Sequence, residues 1–297
     1  MNAGFDAGVR RLLDAQTSDG HWEDYPLPVG RSDAWMTAYV AFALDHLGVA
    51  RWERACADAV GRAAAWLERS RPYAAGWGFN GTTGPDADST AYALLVLAPR
   101  GTARDADTAW LRARWRVEGG FATYPADDAW GSAHPCVTPV AFLALPAAAR
   151  AELREPLRAR LAATRDVDGT WPAYWWRGRH YSTYWNARVA DGLGLPNAPS
   201  LPVVGGEASR RVASVFDLAF VLRLALSRWG ATEATSPLAA RLLALQDRDG
   251  GWPGAADLRV THATCQRPWS TPTGAVYADE GVFSTANALA ALAPFAR

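Results

Sequence analysis

Two carboxylates, Asp86 and Asp88, stand one residue apart in the stretch Pro85-Asp86-Ala87-Asp88-Ser89-Thr90-Ala91, just ahead of an apolar run through Tyr92, Leu94, Leu95 and Leu97. A pair of Asp at this spacing has two uses. One is local: Asp favours turns and helix starts, Ser89 or Thr90 can cap the helix, and an acidic residue near its first turn complements the dipole. The other is chemical: close carboxylates oppose each other's ionisation, so one that is also kept from water holds its proton at neutral pH and becomes an acid. Which use applies depends on what surrounds Asp88, and therefore on the helices that position it.

An internal repeat organises those helices. Gln16-Thr17-Ser18-Asp19-Gly20-His21-Trp22 recurs as Gln246-Asp247-Arg248-Asp249-Gly250-Gly251-Trp252, with degenerate copies ending at Trp77, Phe121 and Trp171. An amphipathic run precedes each copy, as in Val9-Leu12-Leu13 or Leu238-Leu242-Leu245, and a short loop and a more apolar, Ala- and Leu-rich run follow it. Gly ends one helix and Trp covers the turn, so each repeat reads as outer helix, turn, inner helix. The inner helices align as Thr37 with Leu44, Thr90 with Leu97, Thr138 with Leu145, Thr183 with Ala190 and Thr285 with Leu292. A sixth fits around Asp217 and Leu224, although its outer helix is hard to place between Leu195 and Gly206. No segment alternates as a strand of useful length. The expected fold is all-α, a single (α/α)6 toroid over residues 1–297, with the inner helices parallel and their N-termini at one mouth.

The alignment predicts the surroundings of Asp88. Two residues before each Thr (or Asp217) stand Trp35, Asp88, Cys136, Tyr181, Val215 and Phe283, a ring with one carboxylate among apolar and aromatic groups. Two residues after it come Tyr39, Tyr92, Val140, Trp185, Ala219 and Asn287; four before it come Asp33, Asp86, His134, Arg179, Ala213 and Gly281. Desolvation in such a ring raises the pKa of Asp88, and Asp86 pushes the same way. Aromatic faces stabilise a cation by about 0.5–2 kcal/mol each. An acid aimed into an aromatic, water-poor cavity suits protonation of an alkene and guidance of the carbocation. Asp88, Asp86 and His134 are therefore the candidate catalytic residues, and Trp35, Tyr39, Tyr92, Tyr181, Trp185 and Phe283 the candidate lining. Plain barrel packing for the aromatics and an ordinary helix start for His134 are the alternatives.

Two segments are expected at the same mouth. The long loop from Pro253 to Glu280, containing His262, Cys265, Arg267, Trp269 and Tyr277, reads as a lid. The cluster Tyr174-Trp175-Trp176-Arg177-Gly178-Arg179-His180-Tyr181 leads to it as well, so Arg177, Arg179 and Arg267 are candidates for holding a diphosphate or another anionic head group. A solvated loop with Arg packed on Trp is the alternative.

Composition narrows the classes. Thirty basic against 30 acidic residues suggest no nucleic-acid partner. Three scattered cysteines give no disulfide framework and fit a reducing compartment. His134-x-Cys136 and His262-x-x-Cys265 lack further ligands, so no metal is expected. The N-terminus carries no charged region and apolar core of a signal peptide, and the run Val215 to Leu226 is broken by Asp217 and Arg223, which together point to a soluble cytoplasmic protein.

The two Q-x3-G-x-W motifs, their degenerate copies and Pro-Asp-Ala-Asp-Ser-Thr-Ala resemble the squalene–hopene and class II terpene cyclase superfamily. Its signature is D-x-D-D-T or D-x-D-T-T, with the middle Asp as general acid. The resemblance makes Asp88 that acid and Asp86 its partner, with Ser89 standing where the family has Asp or Thr. The hopene-forming members place a His beside the acid; the equivalent site here is Val140, so His134 is the substitute donor. The implied activity is protonation-initiated cyclisation of an isoprenoid, a prenyl diphosphate or a meroterpenoid, without a cofactor, Mg being needed only if a diphosphate is bound. Family cyclases generally build the cavity between two helical domains, which leaves room for a partner helical subunit and for peripheral membrane contact. Protein prenyltransferase β-subunits share the repeat but bind zinc through Asp, Cys and His, and this chain has no D-x-C. Two other classes remain at this point: a non-catalytic toroid that binds a lipid or a partner protein, and a glycan-active α/α barrel using Asp33, Asp86 or Asp88 as acid and base.

Overall fold

A computed structural model describes residues 2–195, 212, 214–270 and 273–297. The Gln-Trp turns show why the repeat folds as it does. Each turn Trp is fully buried and donates its indole N–H to the carbonyl ten residues earlier, at the end of the preceding outer helix: Trp22 to Leu12 (2.8 Å), Trp77 to Leu67 (3.0 Å), Trp171 to Leu161 (3.0 Å) and Trp252 to Leu242 (2.7 Å). One orphan helix-end carbonyl is thereby satisfied while a large apolar ring enters the core.

The backbone N–H of the same residue donates to the first-turn Thr of the next inner helix. These bonds are Trp22 to Thr37, Trp77 to Thr90, Phe121 to Thr138, Trp171 to Thr183 and Trp252 to Thr285, all at 2.9–3.1 Å. The Thr that marks each inner helix in the sequence is thus the latch between turn and helix. Gln16 bridges Gly20 O and Ala59 O, and Gln246 bridges Gly250 O and Gly4 O, tying each turn to the following outer helix. Gly20 (φ 104°) and Gly250 (φ 89°) hold positive φ against that helix, where a Cβ would meet Arg62 O at 2.7 Å and Ala7 O at 2.8 Å.

The inner helices are α2 (Ala34–Asp45), α4 (Ala87–Leu97), α6 (Thr138–Ala144), α8 (His180–Gly192), α9 (Val215–Trp229) and α11 (Val282–Leu292). Each packs on the next, and α11 packs on α2, so the ring closes. Outside lie α1 (Asn2–Asp14), α3 (Glu53–Arg69), α5 (Asp105–Arg112), α7 (Ala147–Thr164) and α10 (Ser236–Ala244). The outer element sought between Leu195 and Gly206, and Ala213 of the rim set, lie outside the described residues.

The expectation of an all-α chain needs one correction. Three two-stranded antiparallel sheets occur: β1 (Asp24–Leu27) with β2 (Gly30–Ser32), β3 (Trp115–Arg116) with β4 (Gly120–Phe121), and β5 (Leu258–Val260) with β6 (Ala275–Tyr277). Strands of two to four residues carry too few positions to show alternation, which is why pattern reading passes over them. All three occur in connections that lead from a turn Trp or an outer helix toward an inner-helix N-terminus. Buried Asp24 accepts the N–H groups of Tyr25, Glu280 and Phe283, fastening the first hairpin to the start of α11. Among the described residues, no helix is long and apolar enough to cross a membrane.

Candidate active site

Asp86 is the N-cap of α4. Its carboxylate accepts the backbone N–H of Ser89 (2.8 Å) and the Ser89 hydroxyl (2.7 Å), so the Ser that departs from a D-x-D-T pattern still uses its hydroxyl on the first Asp. Burial raises the Asp86 pKa to about 6, against these hydrogen bonds. Asp88 sits in the first turn of α4. Its Oδ2 accepts the Trp35 indole N–H at 2.9 Å, and its Oδ1 is buried without a partner among the described residues. Burial and then the field of Asp86 raise its pKa to about 8, with the Trp35 bond opposing. At neutral pH Asp88 is therefore mostly a protonated acid, while Asp86, held by two donors, is mostly a carboxylate.

Both carboxylates line a cavity of about 310 Å³ at the N-terminal mouth of the inner helices. Its walls are aromatic and aliphatic: Trp35 and Phe79, Tyr124 and Trp130, Trp175 and Trp176, with Leu258, Val260 and Tyr277 from the third sheet. No described lining residue is basic. The loop from Pro253 to Glu280 thus contributes a hairpin wall. It is fastened by Arg259, which is buried, donates its backbone N–H to Trp175 O (2.7 Å), and spreads its guanidinium over the carbonyls of Ala173, Tyr174 and Pro268.

Of the expected ring, Trp35, Asp88 and Cys136 line the cavity, whereas Tyr181, Val215 and Phe283 do not. The cause is Trp176, which the loop before α8 drops into the barrel. It stacks on Phe283 (5.5 Å, 4°) and packs on Phe216 (4.5 Å) and Tyr181 (5.1 Å), filling the half of the mouth under α8, α9 and α11. The cavity is consequently confined to the side of α2, α4 and α6.

Tyr39, Tyr92 and Trp185 also lie away from it. Tyr39 donates to Asn287 Oδ1 (2.6 Å) and packs edge-on to Tyr92 (4.8 Å), whose hydroxyl bonds that of Tyr181 (2.9 Å). Trp185 packs on Tyr92 from the far side. These side chains form an aromatic plug between the front cavity and the rear of the barrel.

His134 is buried and stacked on Tyr174 (3.8 Å), with Nδ1 at 2.6 Å from Thr123 Oγ1. Burial lowers its pKa to about 3, so it is neutral, and it does not line the cavity. It reaches the acid's helix indirectly: Thr123 O accepts the Ala87 N–H at 2.8 Å. Arg179 precedes α8 and donates to Asp166 (2.6 Å) and Thr170 (2.5 Å), away from the cavity; Arg267 is exposed and Arg177 donates to the carbonyls of Asp257 and Ala256. None of the three faces the acid, so the expected diphosphate grip is not assembled in this structure. No group of three His, Cys, Asp or Glu side chains among the described residues is placed to hold a metal ion.

The lining that the sequence did not single out (Leu27, Val29, Phe79, Tyr124, Trp130) comes from the connections between each repeat's turn aromatic and its next inner helix. Their position in the repeat was the available signal: such connections must run to the mouth where the inner helices begin.

No protein-family model and no curated protein matches the sequence. Solved structures do. The chain is similar to the type II terpene cyclase MstE from Scytonema in its apo form, with a TM-score of 0.84 and 25% identity over 99% of this chain and 97% of that one. A single-residue variant of MstE in complex with its substrate, geranylgeranyl dihydroxybenzoate, matches with a TM-score of 0.82 and 25% identity over 99% and 96% of the two chains. A protein from Actinoplanes matches with a TM-score of 0.81 and 26% identity over 99% of each chain.

Proposed function

We propose that this chain is a class II terpene cyclase-like enzyme, a single (α/α)6 toroid domain, that starts the cyclisation of an isoprenoid by protonating it. The observation that carries the proposal is Asp88: a carboxyl group that keeps its proton at neutral pH, beside an aromatic cavity with no described basic side chain. The likeness to MstE, whose complex holds a prenylated dihydroxybenzoate, favours a meroterpenoid over a prenyl diphosphate. The commitment of Arg179 to Asp166 points the same way.

In the mechanism, the terminal alkene or epoxide of the isoprenoid lies against Asp88. The Asp88 proton passes to one alkene carbon, leaving the cation at the other, or to the epoxide oxygen as its C–O bond breaks, and Asp88 is left as a carboxylate beside Asp86. Trp35 donates to that carboxylate and stabilises it as charge develops. The cation moves along the chain between the faces of Trp35, Phe79, Trp175 and Trp176, whose quadrupoles favour it and whose bulk excludes water. The cascade ends when the last cation gives up a proton to solvent at the mouth, and Asp88 takes one back before the next turnover. Asp86 holds the first turn of α4 in place and keeps the Asp88 proton from being lost. His134 acts as a positioning residue through Thr123 and Ala87.

A small-molecule isoprenoid is the partner. Val29 and Val276 expose apolar surface on the hairpins around the mouth, which suits entry of the substrate from a membrane surface. The hairpin of β5 and β6 supplies a wall of the cavity through Leu258, Val260 and Tyr277.

The test is product analysis by mass spectrometry with geranylgeranyl dihydroxybenzoate for the parent and Asp88→Asn. Loss of the cyclised product with the near-UV circular dichroism retained is expected. Unchanged turnover in that variant would end the proposal.

A further inference from the structure

The rear of the barrel holds a second cavity, of about 520 Å³, lined from α2, α8, α9 and α11 and by His46 and Pro294 beyond two of their ends. The aromatic plug of Tyr39, Tyr92 and Tyr181 separates it from Asp88. Two guanidiniums enter it, Arg188 from α8 and Arg223 from α9. Arg223 lies over the Tyr184 ring (4.1 Å) and against Phe220 (5.0 Å), and donates to the Tyr184 hydroxyl at 3.1 Å. Arg188 lies 5.4 Å from the Trp185 ring and reaches the same hydroxyl at 3.4 Å.

Neither forms an ion pair with a described residue, in a chain where most other inward-turned Arg groups find a carboxylate or a carbonyl. Each guanidinium has five N–H donors, and one hydroxyl shared between two of them leaves most turned toward the cavity. Helix-end carbonyls do not account for Arg223, because it lies well before the last turn of α9, where the dipole acts. Arg188 is exposed and Arg223 half-buried, so water reaches both guanidiniums, and a ligand that displaces it there must offer them an anion.

We infer that the rear cavity is a binding site for a small organic monoanion, a carboxylate on a flat apolar body. The lining decides the class. Two guanidiniums and the His46 imidazole line it with one carboxylate, Asp191, so with His46 counted as neutral one further negative charge balances the guanidiniums. Arg forks match a carboxylate bidentately. Phe42, Trp185 and Leu226 offer apolar surface to the body of the ligand, which an inorganic anion would leave unused. The site is independent of the chemistry at Asp88.

Isothermal titration of the full chain with benzoate tests this, with benzamide and inorganic phosphate as controls. Benzoate is expected to bind with Kd at or below about 1 mM, and more tightly than either control. The exposed Arg188→Gln, which leaves the plug intact, is expected to weaken it by about tenfold or more, whereas Asp88→Asn leaves it unchanged. Absence of benzoate binding, equal binding of benzamide, phosphate binding as tightly, or an unaltered affinity in Arg188→Gln would each overturn the inference.

Discussion

Replacing Asp88 by Asn removes one titrating group from the protein, and the structure says how stability should respond. Folding raises the Asp88 pKa from 3.8 to about 8. Between those values the folded state binds more protons than the unfolded chain, so unfolding becomes easier as pH rises. The penalty begins near the unfolded pKa, grows by about 1.4 kcal/mol per pH unit and levels off above pH 8, at an upper limit of about 5–6 kcal/mol. Asn carries no such penalty. Its amide can still accept the Trp35 N–H, and its buried NH2 costs about 1–3 kcal/mol at every pH, which shifts the comparison without changing its slope. Asp86 and the other raised carboxyls, Asp257 and Asp279, are common to both proteins and cancel in the difference. Thermal unfolding measured from pH 5 to 9 should show the variant gaining on the parent by roughly 2–3 °C per pH unit up to about pH 8, at about 2 °C per kcal/mol for a chain of this size. Parallel Tm curves would mean that Asp88 ionises normally in the folded protein, and the acid assigned to it would not exist.

Other expectations follow from the same contacts. Trp35→Phe deletes the single donor to Asp88 and should move the alkaline limb of the kcat/KM profile upward from about pH 8 by roughly one pH unit or more, a bond to an ionised group being worth about 1.5–3 kcal/mol; a limb that stays or moves down would contradict the assignment. Thr285→Val leaves the buried Trp252 N–H without its acceptor and should cost about 1–3 kcal/mol in urea unfolding, with activity at low denaturant little changed. Arg259→Gln frees the carbonyls of Ala173, Tyr174 and Pro268; faster amide exchange across β5 and residues 173–176, with a higher KM, is expected, and unchanged protection would deny the hairpin its role as a wall. Trp176→Ala should open the mouth toward Phe283 and Phe216 at about 3–5 kcal/mol of stability, and relative kcat/KM should shift toward larger substrates; an unchanged preference would deny Trp176 its role in confining the cavity.

The helical repeat and the place of Asp88 at the mouth were legible in the sequence because each rests on a local rule. A Thr about two turns ahead of its partner apolar position, a Gly at a helix end and a Trp behind it are readable one residue at a time, and the structure ties the Thr and the Trp together by a hydrogen bond. The two carboxylates were readable from their spacing ahead of an apolar helix, but the cap was not: it is Asp86, and Ser89, expected as a cap, instead donates to it. What the alignment could not show is that equivalent positions on inner helices need not see equivalent space. Trp176 belongs to a connection, not to a helix, and its single side chain decides that Tyr181 and Phe283 are covered while Cys136 is wall. The three hairpins were hidden for the same reason: strands of two to four residues are set by tertiary hydrogen bonds such as those of Asp24 and Arg259, not by their own pattern. Arg179 was misplaced because its partners, Asp166 and Thr170, come from the preceding turn and draw it outward.

Incubation with geranylgeranyl dihydroxybenzoate in D2O tests the central claim most directly. The account predicts a cyclised product carrying one deuterium at the carbon that received the initiating proton, formed by the parent and absent with Asp88→Asn. A cyclised product without that deuterium, or labelled product from Asp88→Asn at the parent's rate, would contradict it.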